Sequence, residues 1–247
     1  MFPPLHRLLY YLSAPRCVCC GEFLAPEDTA LCGACLGQYS EDTAGECSLC
    51  HKPRRFCLCT NEYLSRHFVK TLNKTARYHP GEGDRPLNRL IFSLKRDHRR
   101  DVTEFLARRM EESLTNTMTF PDGAVFVPVP RRTSAKRRYG YDHAAMLAKE
   151  LARRFHAAYS DCLVSHSHLA QKERTAEERL HNPDIRPKRE NFDLSGQTVF
   201  LVDDVVTTGA SMGTAAVILR SMGAGGIHGV CVAVSYRDPS VRYLSNI

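Results

Sequence analysis

Val199 to Ser211 reads VFLVDDVVTTGAS: four apolar residues, two adjacent acids, two valines, two threonines and a glycine. Val199, Phe200, Leu201 and Val202 lack the alternation of a strand with one wet face, so they predict a strand buried on both sides. The charge of Asp203 and Asp204 predicts that this strand stops there. After Gly209, Ile218, Leu219 and Met222 recur at helical spacing and Gly223 supplies a stop. The stretch therefore predicts strand, tight loop, helix. At such a junction the first backbone N–H groups of the helix face an anion, and the helix dipole favours it.

Working outward, the same alternation of strands and helices continues. VKTLNKTARYHP predicts a strand ending at the turn GEGDRP. Leu87, Leu90, Ile91 and Leu94 then mark one helix, and Val102, Phe105, Leu106 and Met110 another. AVFVPVP (Ala124 to Pro130) predicts a second apolar strand running into the basic loop RRTSAKRR, followed by a helix lined by Leu147, Leu151 and Phe155. CLVSH predicts the next strand, and GIHGVCVAVSY the last. The sum is an α/β fold with a mostly parallel sheet. Between them, residues of about 165–195 are polar and too long for an ordinary connection, which predicts a lid loop.

The amino-terminal quarter is different. Of eleven cysteines, nine lie between Cys17 and Cys59, and Cys17/Cys20, Cys32/Cys35 and Cys47/Cys50 are C-x2-C pairs repeating every fifteen residues. Paired knuckles of this kind present thiolates to one tetrahedral ion, so structural Zn²⁺ is the expected occupant. Cys17, Cys20, Cys32 and Cys35 form one expected set; Cys47, Cys50, Cys57 and Cys59 form a second, with a tighter C-x-C closure, giving one or two zincs. Cys19 is surplus, and Cys162 and Cys231 read as small buried apolar residues. The expected division is 1–62 for an amino-terminal helix and zinc module, and 63–247 for the α/β domain. Leu5, Leu8, Leu9 and Leu12 give the opening segment a short amphipathic helix rather than a signal peptide. No run reaches membrane-spanning length. With clustered rather than scattered cysteines, the expected location is the cytoplasm.

The formal net charge of +7 falls to about +3 once eight thiolates and two zinc ions are counted. The remaining basic character is local, in Leu94 to Asp101 and Arg131 to Arg138. Ligands of open α/β sheets bind beyond the carboxyl ends of the strands. One such end carries Asp203, Asp204 and a Thr-Thr-Gly loop; another carries Arg131, Arg132, Lys136, Arg137 and Arg138. A ligand matching both offers hydroxyls to the acids, a phosphate to the loop and a larger anion to the arginines. 5-Phosphoribosyl 1-pyrophosphate (PRPP), with Mg²⁺, has all three. Thr208 to Gly213 also fits the T-G-x-x-x-G of short-chain dehydrogenases, but Ala215 stands where that motif has its final glycine, and only 34 residues follow Gly213.

VFLVDDVVTTGAS resembles the PRPP-binding motif of type I phosphoribosyltransferases, and the wider chain resembles the ComF (competence protein F) family through its cysteine knuckles, IFSLK, VPVPRR, RRYGYDHAAMLAKELA and AQKERTAEERLHN. The resemblance implies a type I phosphoribosyltransferase fold, with Asp203, Asp204, Arg131 and Arg132 in the catalytic positions. Val205, Val206, Thr207, Thr208, Gly209, Ala210 and Ser211 would bind PRPP. It implies displacement of pyrophosphate if an acceptor is turned over, and partners in DNA uptake, single-stranded DNA among them. Non-catalytic PRPP or DNA binding is the alternative. The sequence departs from the family at Tyr141 to His143, where Phe-Asn-Gln is common, and in LAQKERT at the start of the lid, where Thr-x-x-Gln is usual. Purine-salvage relatives carry an acid at the position of Thr207, so any nucleophile must be acidic already or be deprotonated by the lid, where Glu173, Glu177 and Glu178 are candidate bases. Oligomeric state, acceptor and turnover are left open.

Overall fold

The computed structural model describes residues 14–131, 141–165, 184–189 and 192–235. The opening leucine-rich segment, Arg132 to Arg138 of the basic loop, and Glu173, Glu177 and Glu178 lie outside the described residues. The elements in chain order are α1 (Gly33–Ala44), a 3-10 turn at Arg54–Phe56, α2 (Glu62–Arg66), β1 (Thr71–Tyr78), α3 (Pro86–Arg96), α4 (Arg100–Thr117) and β2 (Ala124–Pro128). They continue with α5 (His143–Arg154), β3 (Ala158–Tyr159), β4 (Leu163–Ser165), β5 (Ile185–Pro187), β6 (Thr198–Val206), α6 (Ala210–Ser221) and β7 (Gly226–Ser235).

Five strands form one sheet in the order β1-β7-β6-β2-β3, every pair parallel. The motif strand β6 is central. Phe200 and Val202 point into a core built with α3, α4 and α5, while Val199 and Leu201 point into a second core with α2 and α6. That two-sided burial is what removes the apolar-polar alternation from the sequence. Helix α3 starts with Pro86 in its first turn, where the missing N–H costs nothing, and its Leu87, Leu90, Ile91 and Leu94 are all buried.

Two expectations are corrected. The motif strand does not stop at the acids: β6 runs to Val206, with Asp203 opposite Cys231, Val205 opposite Ala233 and Val206 opposite Val234 on β7. Ladder bonds are made by the backbone, so a charged side chain at a strand end does not break them when its charge is met elsewhere. The strand read from CLVSH does not enter the main sheet. The short β3 takes that edge beside β2, and Leu163 to Ser165 pair antiparallel with Ile185 to Pro187 in a separate two-stranded sheet. The described flanks of the long polar connection are thus tied down, Ile185 and Leu194 being buried and Leu194 donating its N–H to the Met222 carbonyl at 2.8 Å.

The cysteine-rich segment packs onto the sheet. Cys17, Leu31, Cys35 and Tyr39 belong to the same buried cluster as Leu87, Phe105 and Phe200. Tyr39 packs edge-on against Phe105 and is 2% exposed. Cys162 and Cys231 are buried, as expected of small apolar residues. No described helix is long and apolar enough to cross a membrane.

Candidate functional site

At the carboxyl end of β6 the two acids have unequal surroundings. The Asp203 carboxylate accepts the Asp204 N–H at 2.8 Å, and Asp204 Oδ1 accepts the Val205 N–H at 2.6 Å. Asp204 Oδ2 faces Lys95 Nζ at 3.1 Å and His143 Nε2 at 3.5 Å. Burial opposes ionisation of Asp204, but Lys95, His143 and Arg131 outweigh it and hold its carboxyl below the usual range. Burial and the neighbouring Asp204 charge instead push Asp203 well above that range. The two acids are therefore biased in opposite directions, Asp204 toward the carboxylate and Asp203 toward the protonated form. His143 is 0% exposed and its ring nitrogens have no hydrogen-bond partner among the described residues; burial drives its pKa down to about 4.

The loop that follows turns on Gly209. Its φ of 85° is in the left-handed region, and a Cβ there would lie 2.8 Å from Leu64 Cγ, so both backbone angle and space demand glycine. Gly209 is the N-cap of α6 and has no side chain to spend on the first N–H groups. Thr208 Oγ1 accepts the Ala210 N–H at 3.2 Å. A Cβ on Gly213 would lie 2.6 Å from Tyr63 Cε1, so the second glycine of TGASMG serves the close approach of α2. Of the remaining expected loop residues, Thr207 and Ser211 are exposed, Val205 and Thr208 half-buried, and Val206 and Ala210 buried. Arg131 is described at the end of the β2 loop and acts electrostatically on Asp203, Asp204 and His143; Arg132 is outside the described residues.

The cysteines assemble into the two expected groups, Cys17/Cys20/Cys32/Cys35 and Cys47/Cys50/Cys57/Cys59, each with its sulfurs within 4.8 Å of one another. All are free thiols. The Cys20 and Cys32 sulfurs are 3.7 Å apart, far beyond a disulfide bond and close to the ~3.8 Å edge of a tetrahedron with zinc–sulfur bonds of about 2.3 Å. Both groups therefore fit a metal ion. Despite burial, N–H groups of Cys50 and Leu49 aimed at the Cys47 sulfur lower its pKa to about 6, and those of Cys20, Cys32 and Cys19 lower Cys17 to about 7. Beside the second group lies a buried cation: Lys74 is 2% exposed and donates to the Cys59 carbonyl at 2.7 Å and the Leu72 carbonyl at 3.2 Å. Burial pushes the Cys57 thiol up, and the Lys74 charge opposes that shift without overcoming it. A cavity of about 200 Å³ separates this centre from the motif strand, lined by Cys47, Leu49, Cys59, Asn61, Lys74 and Val206 among others.

Lys95 falls in the basic run Leu94 to Asp101 and His143 in the departure at Tyr141 to His143, but the sequence assigned neither to the acids, and it did not single out Asn61, Leu64 or Lys74. A signal was present: Lys95 is four residues after Ile91, and His143 four before Leu147, so each is a polar side chain on an apolar helical stripe.

The phosphoribosyl transferase domain family matches residues 142–245. Competence protein ComFC of Bacillus subtilis is 26% identical over 208 residues, covering 81% of this chain and 82% of ComFC. DNA utilization protein YhgH of Escherichia coli is 26% identical over 153 residues, 60% of this chain and 66% of YhgH. A ribose-phosphate pyrophosphokinase of Methanopyrus kandleri is 38% identical over 100 residues, 40% of this chain and 31% of that enzyme. The chain thus spans under a third of the pyrophosphokinase, just under two thirds of YhgH and most of ComFC. With a parallel α/β sheet, a phosphoribosyl transferase domain match and likeness to ComFC along four-fifths of its length, the chain is similar to the phosphoribosyltransferase-like proteins of the ComF family.

Proposed function

We propose that the carboxyl end of the sheet binds PRPP, and that the protein acts in DNA uptake or DNA utilization. Asp203 and Asp204 accept hydrogen bonds from the ribose hydroxyls, the Val205 to Ser211 segment holds the 5-phosphate, and Arg131 with Arg132 faces the pyrophosphate. Bound Mg²⁺ would supply charge neutralisation for the pyrophosphate beside the ribose hydroxyls and the acids. The observation that carries this reading is an ion-paired acid at the end of a buried strand, followed at once by a left-handed glycine that opens a helix. Zinc occupies both cysteine groups, in a module of residues 1–62 that precedes the domain of 63–247; the described thiols suit a reducing cytoplasm.

If an acceptor is turned over, the chemistry is displacement of pyrophosphate from C1 of the ribose, the protein holding the ring and excluding water. A second reading, PRPP binding without turnover, is favoured by Thr207, which cannot serve as the carboxylate base of purine-salvage relatives.

Calorimetric titration of zinc-loaded protein with PRPP, with and without Mg²⁺, tests the assignment. Wild type should bind, and D203N or D204N should each weaken binding about tenfold. Absence of binding by the wild type, or unaltered binding by both variants, overturns it. The apo stabilities should split. The raised Asp203 pKa contributes stability below the ordinary carboxylate range that is lost as pH rises through its folded value, so D203N should gain on wild type with rising pH. Asp204 is lowered, so its stabilisation is present above the ordinary range and D204N should lose stability at neutral pH.

A further inference from the structure

The cysteine groups and the Thr-Thr-Gly loop are separate in sequence, yet a continuous set of contacts joins them. Asn61 lies two residues after Cys59. Its Oδ1 accepts the Leu64 N–H at 2.8 Å and caps α2, while its Nδ2 donates to the Thr208 carbonyl at 3.1 Å. One amide thus holds the start of α2 and the middle of the loop together. Leu64, 0% exposed, fills the space under Gly209, and Tyr63 with His67 closes on Gly213. On the other side, the Leu58 carbonyl accepts the Leu72 N–H at 3.0 Å and the Cys59 carbonyl accepts Lys74 Nζ at 2.7 Å. The segment from Cys57 to Asn61 is therefore pinned to the sheet at one end and to the loop at the other.

We infer that Asn61 and Leu64 are positioning residues for the Thr207 to Gly209 loop, fixed in turn by metal at Cys47, Cys50, Cys57 and Cys59, so that loop occupancy and metal retention are linked. The ligand named in the test rests on the PRPP reading above; the coupling between metal and loop does not. Metal held by Cys47, Cys50, Cys57 and Cys59 would restrain the backbone two residues before Asn61. Without it, the amide loses the restraint that aims Nδ2 at Thr208. Linkage is reciprocal: whatever metal contributes to loop order, loop occupancy returns to metal affinity.

N61S separates capping from positioning. Serine is a neutral residue that still caps α2 but has no amide to reach Thr208. N61S should keep both metals and melt within about 2 °C of wild type, yet bind PRPP about five- to tenfold more weakly. In wild type, saturating PRPP should slow extraction of metal from the second centre by a chelator, and N61S should abolish that slowing. PRPP binding by N61S equal to wild type overturns the inference, as does chelation indifferent to PRPP. Should wild type bind no PRPP, the functional reading fails alone, and hydrogen exchange decides the coupling. C59S, or chelation of wild type, should speed amide exchange in 205–213, and unchanged exchange there overturns it.

Discussion

The two cysteine groups have the same donor set and the same first turn, and differ in nearly everything beyond it. In the first, the Cys17 N–H donates to the Glu22 carbonyl at 2.8 Å and the Gly21 N–H to the Cys17 carbonyl at 3.0 Å. In the second, the Cys47 N–H donates to the Lys52 carbonyl at 3.0 Å and the His51 N–H to the Cys47 carbonyl at 2.9 Å. The equivalent turn positions, Gly21 and His51, have φ of 77° and 55°. From there they diverge. Cys32 is the N-cap of α1 and Cys35 lies in its first turn, so the positive end of a helix dipole offsets the thiolate charge. Cys57 and Cys59 have no such helix, and the Lys74 ammonium supplies the positive charge. Cys17 and Cys35 belong to the main buried cluster, whereas Cys47 and Cys57 belong to neither. One knuckle of a sequence repeat is invested in the core, and the other in holding a neighbouring loop.

The largest expected difference is in global stability. C35S should lower the melting temperature by about 10 °C or more, since it removes a metal ligand from the core, and C57S by about half as much. Differential scanning calorimetry of the two proteins checks this, and equal losses would break the distinction. Next in size is the charge device. K74M should weaken metal at the second centre about 10–100-fold in a chelator competition and leave the first unchanged; parallel weakening of both would mean that Lys74 supports the fold and not the thiolates. The smallest effect is in the turns. H51G relieves a left-handed histidine and should stabilise by about 1 kcal/mol, while G21A should cost about the same. A Cβ at Gly21 meets nothing within 4 Å, so backbone strain alone is at issue. Melting shifts of about 2–4 °C in opposite directions are expected.

Elements with a local cause could be read from the sequence. The apolar run of β6, the glycine before α6 and the leucine spacing of α3 each specify structure within a few residues. The two cysteine groups were legible because spacing alone pairs their ligands. What could not be read depends on neighbours far along the chain. Lys95 and His143 meet Asp204 only after α3 and α5 have packed on the same face of the sheet, and the passage of β6 through its acids depends on β7. CLVSH has the composition of a core strand, but the two-residue β3 reaches the β2 edge first, leaving Leu163 to Ser165 to pair with Ile185 to Pro187.

The Leu72 N–H that bonds to Leu58 points away from β7, toward the outer side of β1. That strand is an eight-residue sheet edge, and the cysteine-rich segment covers part of it. An uncovered edge of this length is a template on which another chain can add a strand. Metal loss in a cell under oxidative or chelating stress would then do more than soften one loop: it would unmask a self-association surface, making colloidal stability of the protein depend on metal supply.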